Sequence, residues 1–122
     1  MAEGLGVDLV DLENIKRIVN GSKGKDFLDK NFSAKEKSYF ERKSNSLPHI
    51  ATTFAAKEAV FKALGLGWQN GLEIEISRDE NGQPQAKLKG GLKKAFPSAE
   101  LSLSLSFTDF AAMAVAMVKE KK

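Results

Sequence analysis

The segment Thr53-Phe54-Ala55-Ala56-Lys57-Glu58-Ala59-Val60-Phe61-Lys62-Ala63-Leu64-Gly65 constrains the fold more than any other stretch of this chain. It is built of strong helix formers, and Gly65 supplies a natural end. At about 100° per residue, Phe54, Glu58, Phe61 and Gly65 share one face. Glu58 therefore stands in an apolar stripe between two phenylalanines, where a carboxylate is costly unless a cation meets it. Lys62 lies one turn on, at i+4, and Lys57 points to the other edge of the stripe. Two readings stand. Either Glu58 and Lys62 form a rim pair on an ordinary amphipathic core helix, or Glu58 ligates a metal with a lysine beside it for a phosphate.

Composition narrows the chemistry. The 122 residues suit one compact domain. There is no cysteine, which excludes disulfides, thiolate catalysis and Cys-ligated zinc. A lone histidine rules out a multi-His metal centre within one chain, so any metal is held by carboxylates, which favours a hard ion such as Mg²⁺. A net charge of +3 permits an acidic or phosphate-rich partner. No basic stripe with interleaved aromatics appears, so nucleic acid is not expected as a partner. The N-terminus lacks the basic n-region of a signal peptide, and the apolar run Leu101–Val118 is broken by alternating serines, so no membrane is expected and the compartment inferred is the cytoplasm.

In chain order, Gly4–Val10 alternates as a strand. Leu5, Val7 and Leu9 lie on one face, and Gly6, Asp8 and Val10 on the other. Asp8 is either a functional acid or the strand's exit, capping the helix that follows. Asp11–Val19 is spaced as that helix, with Asn20-Gly21 as its stop. Asp26–Lys30 is a helical turn, and Ser33-Ala34-Lys35-Glu36 is a capping box opening another helix. Leu47-Pro48 starts the central helix, and His49 reads as a partly exposed helix residue. Trp68, in the glycine-punctuated loop Leu66–Gly71, is either a lid on the core or a ligand wall. Leu72–Ser77 and Gln85–Lys89 form a hairpin around Asn81-Gly82. Gly90–Phe96 is a short helix. Leu101–Phe107 alternates as a strand, Thr108-Asp109 is a tight turn, and the apolar run Phe110–Val118 is expected as a central strand buried on both faces. Helices early and strands late predict an α+β fold: a single small domain over residues 1–122, with an antiparallel sheet packed against a long central helix and shorter helices.

Three stretches together carry a family resemblance: Gly4-Leu5-Gly6-Val7-Asp8-Leu9-Val10, Phe54-Ala55-Ala56-Lys57-Glu58-Ala59 through Lys62-Ala63, and Asp79-Glu80-Asn81-Gly82-Gln83-Pro84. The late Leu103-Ser104-Leu105-Ser106 before an alanine-rich strand agrees. The chain resembles the small bacterial phosphopantetheinyl transferases, the holo-[acyl-carrier-protein] synthases, nearly end to end. That resemblance implies the 4′-phosphopantetheinyl transferase fold and a reaction in which the phosphopantetheine arm of coenzyme A moves to a serine of an apo acyl carrier protein. The other product is adenosine 3′,5′-bisphosphate. It implies Asp8 and Glu58 as Mg²⁺ ligands, Lys62 neutralising the diphosphate, and Glu58 as base for the serine, directly or through a bound water. It further implies coenzyme A contacts from Phe54, Lys57, Lys62, Gly65 and Pro84, and a homotrimer whose sites are shared between subunits.

The chain departs from the family pattern at three places. Phe107 stands where a histidine is common, Asn14 where an arginine often contacts the carrier, and Thr53 where an arginine often precedes the central motif. Lys16 or Arg17 is the available substitute for the second. These losses of cationic groups support an alternative, a binding module for coenzyme A or a carrier without turnover.

Overall fold

The computed structural model describes residues 3–120. In chain order, β1 (Glu3–Asp11) is followed by helices α1 (Leu12–Asn20), α2 (Gly24–Asn31), α3 (Ala34–Glu41) and the long α4 (Leu47–Ala63). A 3-10 turn (Gly71–Glu73), β2 (Ile74–Arg78), β3 (Pro84–Leu88), α5 (Gly90–Ala95), β4 (Ala99–Phe107) and β5 (Ala111–Glu120) complete it. The order β1-β5-β4 makes a three-stranded antiparallel sheet, and β2-β3 is a separate hairpin. The expected α+β architecture is the one found. None of the helices described is long and apolar enough to cross a membrane.

Local signals set most boundaries. Asp11, not Asp8, caps α1: its Oδ1 accepts the Glu13 amide at 3.0 Å. Asp8 is thereby free of the capping role that its position near the strand's exit suggested. The capping box of α3 is complete, with the Glu36 amide donating to Ser33 Oγ and the Ser33 amide to Glu36 Oε1. Helix α4 ends on Gly65 at φ +78°, where a Cβ is disfavoured. The Leu66 amide then reaches Phe61 O at 2.8 Å and the Gly65 amide reaches Lys62 O at 3.0 Å, satisfying two carbonyls of the last turn.

Packing overturns two expectations. Helix α4 is not amphipathic in the ordinary sense, since it is buried on nearly every side. Past Leu47 and His49 in its first turn, only the line Phe54, Glu58, Lys62 reaches the surface, so the predicted stripe divides: Phe54, Glu58 and Gly65 open to solvent while Phe61 is fully buried. Strand β5 is central, but only one of its faces is buried. Ala112, Ala114, Ala116 and Val118 lie beneath α4, while Met113 and Met117 are exposed. Alanine recurs on the inner face because the helix comes close, and Ala55, Ala59 and Ala63 answer from α4. The approach is tightest at Gly6, where an added Cβ would stand 2.0 Å from Ala59 O. A glycine there is what lets strand and helix touch backbone to backbone.

The other face of the sheet is bare. Leu5, Val7 and Leu9 are 72%, 53% and 69% exposed. Together with Met113 and Met117 they make an apolar surface on the side away from α4, larger than scattered single residues produce.

Candidate active site

Close contact between β1 and α4 builds the site. Asp8 lies on the inward face of β1, two residues past Gly6 and across from Ala114, whose small side chain leaves room. Its side chain is 14% exposed. The Lys62 ammonium, at the last turn of α4, donates to Val7 O at 3.0 Å and to Asp8 Oδ1 at 3.2 Å. Lysine 62 thus pairs with the strand's acid rather than with Glu58, contrary to the rim pair expected within the helix. Glu58 makes no hydrogen bond or ion pair among the described residues. Burial first, and then the Asp8 carboxylate, push its carboxyl above the usual glutamate value, with Lys62 opposing. An acid and a lysine one turn apart on α4 and an acid from β1, distant along the chain, therefore act on one another at one point of the fold.

The donor set suits a hard divalent cation. Two carboxylates offer oxygens from different elements, one lacks any partner, and their mutual repulsion is relieved by positive charge. The fit is to an ion completing its shell with water or phosphate oxygens, since no group of three or more acids or histidines forms a protein-only cage among the described residues.

The other expected contacts divide. Phe54 lies one turn before Glu58 but is engaged in an aromatic stack, 4.9 Å from Trp68 and 5.6 Å from Phe27 between centroids. Trp68 also meets Phe61 edge-on at 5.3 Å, so it is a lid on the core. Gly65 is exposed, one turn beyond Lys62, with open space where a Cβ would project. Pro84 is elsewhere, in a cleft of about 320 Å³ with Tyr39, His49, Arg78 and Phe107. Nine residues separate His49 from Glu58, so at about 3.6 residues per turn they project from opposite sides of α4. One chain does not bring Pro84 to the acids.

Lys57 is a correction. It was expected to touch coenzyme A, yet it is wholly buried. Its three ammonium protons go to Asn31 O at 2.6 Å, Gly71 O at 2.8 Å and Glu36 Oε1 at 2.6 Å. An ammonium has only three donors, so none is left for a ligand. Glu36 is the other half of this hub, accepting the Ile76 amide on Oε2 at 2.8 Å in addition to its capping-box bond. Periodicity placed Lys57 at the edge of a stripe and gave no sign of this partner, because Glu36 lies on a different helix.

A model of the 4'-phosphopantetheinyl transferase superfamily matches residues 4–116, and the chain belongs to that family. Among its relatives, the holo-[acyl-carrier-protein] synthase of Caldanaerobacter subterraneus subsp. tengcongensis is 39% identical over 121 residues, covering 93% of this chain and 91% of that one. The synthase of Clostridium botulinum strain Alaska E43 is 37% identical, with 98% of each chain covered. Among solved structures, the holo-[acyl-carrier-protein] synthase of Neisseria meningitidis superposes with TM-score 0.87 at 28% identity, covering 98% of this chain and 100% of that one. That of Helicobacter pylori in complex with coenzyme A superposes with TM-score 0.82 at 31% identity, covering 94% of this chain and 99% of that one.

Proposed function

We infer that this chain transfers the 4′-phosphopantetheine arm of coenzyme A to a serine of an apo acyl carrier protein, releasing adenosine 3′,5′-bisphosphate, in the cytoplasm and in the service of fatty acid synthesis. The observation that carries this reading is the meeting of Asp8, Glu58 and Lys62, in a member of a family whose relatives are named for that reaction. Residues 1–122 work as one transferase domain.

In the transfer, a bond forms between the serine oxygen and the arm's phosphorus as the bond to the departing bisphosphate breaks. Glu58 takes the serine proton, a role suited to a carboxylate with no other partner and a raised proton affinity. Lys62, half exposed at the rim, meets the charge on the departing phosphate. Asp8 and Glu58 would hold Mg²⁺, and the chemistry this ion supplies is neutralisation of the diphosphate. Gly65 and Phe54 flank the coenzyme on the same side of α4. On α1, the Arg17 guanidinium hydrogen-bonds the Asn14 side chain. That puts a cation beside Asn14, and Arg17 with Lys16 is the acidic carrier's contact.

Incubation with coenzyme A, Mg²⁺ and an apo carrier should add one phosphopantetheine arm to the carrier by mass spectrometry. An unmodified carrier, with coenzyme A still bound in calorimetry, would instead favour the binding module.

The assembly that goes with this reading is a homotrimer. Its support is the bare apolar face of β1 and β5, and the division of the expected coenzyme contacts between two flanks of α4, which adjacent subunits can bring together. A Val7→Asp variant, charging the middle of that face, should sediment as a monomer and lose transfer. A wild-type protein that sediments as a monomer at micromolar concentration removes the shared-site reading.

A further inference from the structure

The two lysines of α4 use their donors differently. Lys57 commits all three protons inside the protein, whereas Lys62 commits two, to Val7 O at 3.0 Å and to Asp8 Oδ1 at 3.2 Å. The third has no acceptor among the described residues, and the Lys62 side chain is 49% exposed, so its stem has room to turn. The carboxylate it serves is far more enclosed. Its charge also reaches Glu58, where it opposes the rise in proton affinity that burial and Asp8 produce. Among the described residues neither acid makes an ion pair with any other cation. Lys62 is therefore the acid pair's own counter-ion, seated on one carboxylate and felt by the other.

That place is contested. The oxygens that suit a hard divalent ion are the ones Lys62 serves. A dication shared by Asp8 and Glu58 and an ammonium on Asp8 Oδ1 carry like charge at close quarters, and in a partly buried site such neighbours disfavour one another. The acids accommodate either cation well, but not both. A diphosphate resolves the conflict, because it offers the ammonium a charged acceptor in exchange for a backbone carbonyl and a shared carboxylate.

We propose that Lys62 is a counter-ion gate. It holds Asp8 while the diphosphate is away and turns to the diphosphate on its arrival, so the protein takes up its divalent ion together with the diphosphate rather than ahead of it. The proposal rests on the reading of Asp8 and Glu58 as the ion's ligands, and it gives Lys62 a second task beside neutralising phosphate. By linkage, the factor that the diphosphate adds to the affinity for the ion is the factor that the ion adds to the affinity for the diphosphate.

Titration with Mn²⁺ as the probe, the free ion being counted by electron paramagnetic resonance, tests it without turnover. Lys62→Met, folded by circular dichroism, should bind Mn²⁺ alone about tenfold tighter than wild type, the scale on which one neighbouring charge shifts the proton affinity of a carboxylate. Lys94→Met removes one positive charge from the exposed face of α5 and should bind as wild type does. Saturating coenzyme A, with its own Mn²⁺ binding subtracted, should raise the affinity of wild type about tenfold more than that of Lys62→Met, because only wild type has a gate to release. In chelator-treated protein, added Mg²⁺ should lift the melting temperature of Lys62→Met more than that of wild type. If Lys62→Met binds Mn²⁺ alone no tighter than wild type, or if Lys94→Met gains as much, the gate is overturned and the acids stand as ligands. If none of the three proteins binds Mn²⁺, with or without coenzyme A, the acids fail as ligands and the gate fails with them.

Discussion

Glu58→Gln lowers kcat for arm transfer by about 10²- to 10⁴-fold, the range of a lost general base, without lowering the stability of the metal-free protein. The two halves of this expectation share a cause. Glu58 has no hydrogen-bond partner among the described residues, and burial together with Asp8 raises its pKa above the ordinary 4.5. A carboxyl whose folded-state pKa is raised binds its proton more tightly in the native state. Its contribution is therefore favourable at pH below 4.5 and is lost as pH rises through the raised value. At neutral pH the ionised Glu58 is a liability to the apo fold, and a neutral amide removes it. Thermal melts from pH 4 to pH 8 in chelator should show the variant at or above wild type at the upper end. Added Mg²⁺ should then raise the melting temperature of wild type more than that of the variant. Full activity in the variant removes Glu58 as the base. A clear loss of apo stability contradicts the unpartnered carboxylate.

The second large effect belongs to Lys57→Met. This change strands the Glu36 carboxylate and two backbone carbonyls in a dry interior. Breaking a buried ion pair from one side costs about 3–5 kcal/mol, against a total stability of about 5–15 kcal/mol for a domain. In a chain of this size that corresponds to a fall of roughly 10–20 °C in melting temperature. Urea unfolding at matched protein concentration gives the value directly. The Lys57→Met/Glu36→Gln double variant should recover part of the loss, because the lone charge is gone. Well below its melting temperature, the single variant should keep the wild-type KM for coenzyme A, since the ammonium has no donor to spare. A loss under about 1 kcal/mol would mean the pair is not the buried anchor that its geometry indicates.

What could be read along the chain was what is written locally. The Ser33–Glu36 box, the Gly65 stop, the Asn81-Gly82 turn and the serine alternation of β4 are all signals spanning a few residues, and each matches the fold. The features that failed are set by contacts across the chain. Lys57 looked accessible because its partner sits on α3. Strand β5 looked buried twice because its methionines are as apolar as a core residue, and periodicity does not know where the layers end. The stripe on α4 divided, Phe61 buried and Phe54, Glu58 and Gly65 open, for the same reason: the helix is covered on its other sides by elements far off in sequence. Asp8 and Glu58 were linked only through the family resemblance, because nothing in their spacing says that Gly6 lets β1 touch α4. Lys43 and Arg78, which meet over one tyrosine ring, left no pattern at all.

The pairing of β1 with β5 has a consequence for how the protein comes into being. Glu3 is matched to Lys119 and Asp11 to Ala111, so among the described residues β1 finds its one sheet neighbour in β5. The backbone hydrogen bonds of helices α1 to α4 are local and can form while synthesis is under way, but long-range strand pairing waits for its partner. Until residues 111–120 have emerged from the ribosome, the backbone around Asp8 has no ladder to fix it. Glu58 can be in place on its helix well before that. The acid pair is thus fixed only once β5 is in place, and a nascent chain halted before residue 111 lacks it.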